Sequence, residues 1–129
     1  MNKTWQAIAI FLVASFGFAA MPSQGPEVKR VMRQKLVHTH KVLEALVTSD
    51  WIGLEAESRE LERLTNDPRW TVLRFPEYSR YSGAFVRAIQ DLERAAAERN
   101  LDGAPEAYAA VALKCVECHR YVARARMAR

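Results

Sequence analysis

Two thiols and an imidazole stand close together near the end of the chain, in the run Cys115, Val116, Glu117, Cys118, His119. On a helix, positions 115, 118 and 119 are i, i+3 and i+4, so the three side chains leave from one face. Thiols so spaced can add across the two vinyl groups of a haem and hold it by thioether bonds, while the neighbouring imidazole takes one axial position on the iron. C-x-x-C-H is therefore read as a c-type haem attachment site. The same residue types also serve zinc sites, disulfides and redox pairs. A closed zinc site needs four ligands, and Cys115, Cys118 and His119 would have to borrow His38 or His40. A thioredoxin-like pair belongs in a βαβ setting, and no strand pattern precedes this motif. The chain has 2 cysteines in all, so a disulfide framework has nothing else to staple.

The start of the chain speaks to the compartment. Lys3 is followed by an apolar run over 7–18, broken only by Ser15 and Gly17, and then by Ala19 and Ala20. That is the form of a secretory signal peptide, here residues 1–20, which is set aside from fold reasoning. Cleavage after Ala19 leaves Gly17 and Ala19 at the small-residue positions, and cleavage after Ala20 is the close alternative. The run is shorter than the ~20 residues of a spanning helix. The expectation is a periplasmic protein without stable membrane insertion after cleavage, an uncleaved anchor being the competing reading. Residues 21–129 then form one domain. They carry 18 Lys and Arg against 15 Asp and Glu. Arg120, Arg124, Arg126 and Arg129 suit a helix C-terminus or docking to an acidic redox partner. Nucleic acid is not the expected partner of an exported chain with interspersed acids.

The elements that must position the motif are helical. Pro22, Gly25 and Pro26 lead into a first helix over about 27–48, where Met32, Leu36, His40, Leu43 and Val47 recur at helical spacing with Leu46 beside them. Ser49 and Asp50 offer N-caps for a second helix from Trp51, with Leu54, Ser58, Leu61 and Leu64 on one face. Its acids Glu57, Glu60 and Glu62 alternate with Arg59 and Arg63 and read as a solvated face. Asn66-Asp67-Pro68 interrupts the pattern, and the apolar stretch holding Trp70, Val72, Leu73 and Phe75 is expected to fold over an open bundle end or against the cofactor. A third helix from Pro76 keeps Tyr78, Tyr81, Phe85, Ile89, Leu92 and Ala96 in register. After the turn around Asp102-Gly103, a fourth carries Tyr108, Ala112, Cys115, His119 and Val122 on one face, with small Ala109, Ala110 and Ala112 suited to lie against a flat ring and Tyr108 read as bundle core. Four amphipathic helices with two short connections and one longer one predict an all-α, antiparallel up-down-up-down four-helix bundle.

With the haem motif near the end of the last of four helices and an export signal ahead, the chain resembles the cytochrome c prime superfamily. The resemblance implies one covalent haem c, no enzyme activity of its own, and a periplasmic redox partner protein. It allows two copies to associate through the first two helices. Low-spin relatives take a methionine of the first helix as sixth iron ligand. Members commonly place an aromatic and then a basic residue three and four positions after the histidine; here Tyr121 comes one place early and Arg124 one place late.

What lies opposite His119 separates an electron carrier from a gas binder. Met32, near the start of the first helix, is the candidate ligand, so the iron-holding pair is His119 and Met32, with Cys115 and Cys118 as attachment points. Met32 can equally be a core residue filling irregular space. Leu36, one turn on, would cap a five-coordinate iron that binds NO or CO, and His40 could give bis-histidine ligation. His38 points elsewhere by helical phase and is expected at the solvent or bundle edge. The favoured expectation is single-electron transfer by a monohaem c-type cytochrome.

Overall fold

The computed structural model describes residues 25–70 and 76–127. They form four α-helices, α1 (Gly25–Thr48), α2 (Trp51–Thr65), α3 (Pro76–Ala97) and α4 (Gly103–Met127), with a single 3₁₀ turn at Pro68–Trp70 between α2 and α3. There is no strand among the described residues, and no helix there is long and apolar enough to cross a membrane. The signal peptide at 1–20, its cleavage after Ala19 or Ala20, and the expected fold-over of Val72, Leu73 and Phe75 lie outside the described residues.

The helices begin and end for local reasons. At the α1–α2 turn Ser49 adopts a φ of 55°, and the Asp50 N–H donates back to Ala45 O at 2.9 Å. Asp50 then caps α2, its Oδ1 accepting from Gly53 N at 2.9 Å. The α3–α4 turn repeats this construction. Arg99 has a φ of 51°, Asn100 N donates to Ala95 O at 3.0 Å, and Asn100 Oδ1 accepts from Gly103 N at 2.8 Å. Each turn is a left-handed helix stop followed at once by an Asx cap. A methyl group on Gly53 or Gly103 would press on the capping side chain, which would have to shift to admit it. A shared small cleft lined by Ser49, Trp51, Leu101 and Pro105 puts the two turns at one end of the bundle.

The exposed Arg99 carries left-handed backbone without being glycine, a strain of about 1–2 kcal/mol. Arg99→Gly should therefore stabilise the protein by roughly 1 kcal/mol, the relief being partly offset by the greater freedom of the unfolded chain. Thermal unfolding should show a midpoint a few degrees higher, and a lower midpoint would contradict this account of the turn.

Leu54, Leu61, Ile89, Leu92, Val31, Val42 and Val111 are fully buried and form the shared core. Ser58, on the buried face of α2 as its spacing predicted, satisfies its hydroxyl by donating to Leu54 O at 2.7 Å. The phase of α1 differs from the expectation. Val31, Lys35, Thr39, Val42 and Ala45 are its buried positions, whereas Leu36, Leu43 and Val47 are exposed and Met32 and Leu46 are half-buried. Met32 and Leu36 sit round from that buried face, beside a gap. α1 packs on α2, α2 on α3 and α3 on α4, but α1 and α4 touch only sparsely.

At the end away from the two turns, Arg69 ties the connection to the start of α1. Its guanidinium reaches Glu27 Oε2 at 3.2 Å and pairs with Asp67, Nε to Oδ1 at 2.8 Å. That guanidinium holds the Asp67 carboxyl down to about 2.

Candidate functional site

The gap between α1 and α4 is a cavity of about 590 Å³, floored by Ser82 and Phe85 of α3. That is within the size range of small-molecule and cofactor sites. α4 contributes Tyr108, Ala112, Cys115, Cys118 and His119; α1 contributes Met32, Lys35, Leu36, Thr39 and His40. All four sequence-predicted site residues thus line one cavity, on two facing walls. The thiols are free and half-buried, and His119 is exposed at the rim. Ala112 is the motif-preceding alanine that lines the cavity; Ala109 is exposed and Ala110 packs against the core instead. Tyr108, expected as bundle core, packs against that core and also lines the cavity.

The helical framework explains these placements. On α4, Ala104 and Val111 are fully buried and turn one face to the core, which swings 108, 112, 115 and 119 round toward α1. On α1, Val31 and Val42 do the same and present Met32 and Leu36 to the cavity. Leu36, at 56% exposure, looks like a misplaced surface residue until the cavity beside it is counted.

His38 is not a cavity residue. Its Nδ1 lies 2.5 Å from Glu57 Oε2 of α2, where Lys41 Nζ also approaches Glu57 at 3.5 Å. Glu57 is accordingly half-buried at the α1–α2 contact rather than part of a solvated face. Among the described residues no three His, Cys, Asp or Glu side chains converge as a metal cluster.

Lys35 was missed at the sequence level. Only 6% exposed, it ends with Nζ 4.7 Å from the centre of the Phe85 ring, on the cavity wall facing both cysteines. Burial pulls its amine down to about 7, an effect only partly opposed by Cys115, Cys118 and Asp67. Burial pushes both thiols up, Cys115 and Cys118 alike, with Lys35 pulling them back. Tyr78, behind Cys118, is pushed up to about 12 by burial. The signal for Lys35 was its i+4 spacing from Val31 and to Thr39, hidden because a lysine is expected to leave such a face.

No family model, curated protein or solved structure matches the chain. The site must be judged on its chemistry. Two adjacent thiols, an imidazole and a thioether line an apolar cavity. Ser82 Oγ on its floor is buried with no hydrogen-bond partner among the described residues. Basic Lys29, Arg33, Lys35 and Lys114 also line it, and no carboxylate does among the described residues. This donor set and this lining fit a flat, largely apolar, anionic ring held by thioethers.

Proposed function

We propose that the chain is an exported, periplasmic monohaem c-type cytochrome that carries single electrons, built as an antiparallel up-down-up-down bundle of the cytochrome c prime kind. One observation carries this reading: Cys115, Cys118, His119 and Met32 all line the same cavity between two sparsely touching helices. Cys115 and Cys118 would hold the haem covalently, and His119 and Met32 would hold its iron. When bound, haem supplies an iron that cycles between Fe(III) and Fe(II), and Met/His ligation raises its potential.

The remaining residues make that chemistry selective. Phe85 and Ala112 give the ring apolar surfaces, and burial of the cavity floor excludes water. Lys29 and Arg33 sit on the α1 side of the cavity as countercharges for the anionic edge of the ring. Lys114 is engaged by Glu117, with Nζ to Oε2 at 2.9 Å. A periplasmic redox protein is the expected partner.

Met32→Ala in the purified haem protein is the decisive variant. The wild type should give a low-spin spectrum with a methionine–iron charge-transfer band, and that band should vanish in the variant. A high-spin spectrum unaffected by the substitution would defeat ligation by Met32. It would favour the second reading, for which Leu36 on the same wall is the supporting observation. In that case the iron is five-coordinate beneath Leu36, binds NO or CO, and the ferrous protein takes up CO readily at neutral pH.

A further inference from the structure

We propose that Lys35 sets the reduction potential of this site from inside the bundle, its ammonium favouring the ferrous over the ferric state of a haem held by Cys115 and Cys118. The inference rests on the haem reading above and deepens it.

A lysine on a helix face normally runs its stem along apolar surface and delivers the charge to water. Lys35 does the reverse, lying on the core side of the cavity with its ammonium over the Phe85 ring. The groups that feel its charge come from three directions: Cys115 and Cys118 on α4, Asp67 from the segment after α2, and Phe85 on α3. The cysteines are the points at which the ring would be attached, so a cation beside them lies beside the ring's thioether edge. Reduction adds one electron from a one-electron donor and converts Fe(III) to Fe(II), with no bond made or broken. The centre loses one unit of positive charge. A neighbouring ammonium is repelled less by the reduced centre than by the oxidised one, and within the bundle that difference is only weakly screened by water and salt. Lys29 and Arg33 carry the same sign but are exposed, where solvent damps their influence.

A purely structural role for Lys35 predicts a different pattern of variants. Removing the charge and changing the shape can be separated with Lys35→Met, which keeps an unbranched chain without charge, and Lys35→Arg, which keeps the charge. The full-length chain would be expressed with its haem attached and titrated spectroelectrochemically at pH 6, below the value of about 7 to which burial draws the amine. Lys35→Met should shift the ferrous-to-ferric ratio at a fixed applied potential about tenfold toward ferric, a 59 mV fall for a one-electron couple. Lys35→Arg should stay within threefold of the wild type, and the axial-ligand spectra should be the same in all three. A shift smaller than threefold in Lys35→Met overturns the proposal, as does an equal fall in Lys35→Arg. If Lys35→Met does not fold, Lys35→Gln gives the same reading with a polar side chain. A wild-type chain without covalent haem after denaturing electrophoresis would remove the haem reading itself, an outcome distinct from an unmoved potential.

Discussion

Lys35→Met is expected to stabilise the haem-free polypeptide at pH 6 by several kcal/mol and to flatten its stability between pH 7 and pH 9. The wild-type amine is drawn from 10.5 down to about 7, chiefly by burial. In the unfolded chain it keeps its proton up to its ordinary value, whereas in the folded chain it releases it near 7. Between those values the unfolded state binds more protons, so wild-type stability must climb as pH rises. Below pH 7 the full penalty of holding a buried ammonium is present, roughly 3–5 kcal/mol for a displacement of this size. Cys115, Cys118 and Tyr78 act in the opposite sense. Burial raises all three, so above about pH 9 they ionise first in the unfolded chain and pull stability down. The climb should therefore end near pH 9. Urea unfolding under reducing conditions at pH 6, 7, 8 and 9 would show a rising midpoint for the wild type and a level one for Lys35→Met. A wild-type midpoint unchanged across that range would mean that the ammonium reaches water.

The second large effect concerns attachment. Replacing both Cys115 and Cys118 with Ala should turn a permanently bound haem into one that dissociates on denaturing electrophoresis. Each single variant should keep one thioether and retain the stain. The bundle itself should change little. Both thiols are only half-buried, and only Cys115 packs against the main core, so the polypeptide should lose at most about 1 kcal/mol. Haem staining and circular dichroism on the same samples separate the two effects. Retained stain in the double variant would exclude thioether attachment at these residues.

The sequence was most legible where chemistry is local. Asp50 as a cap, Pro76 at the first turn of α3 and the 115/118/119 spacing on α4 all depend on neighbours within one or two turns, and all stand where they were expected. Pro105 and Glu106 likewise fall in the first turn of α4, which Asn100 caps by accepting from Gly103 N. The phase of α1 was harder. Its exposed apolar residues Leu36, Leu43 and Val47 recur at helical spacing just as Val31, Val42 and Ala45 do, yet the second set is the buried one. Periodicity weighs hydrophobicity and not the space between two helices. The gap beside Met32 and Leu36 depends on how α1 and α4 are spaced, which no residue in either helix declares by itself. Glu57 was read as part of a solvated face for the same reason, since it looks solvent-facing until α1 is placed beside α2 and His38 meets it.

The two turns built alike have a consequence for the order of assembly. Each is closed by its own backbone and Asx hydrogen bonds, and α2 and α3 join the pairs into one body. The α1–α4 side is the only flank among the described helices left thinly zipped. A polypeptide of this kind can stand folded with a slot along one side. On the haem reading proposed above, that slot between α1 and α4 is where the ring would be received.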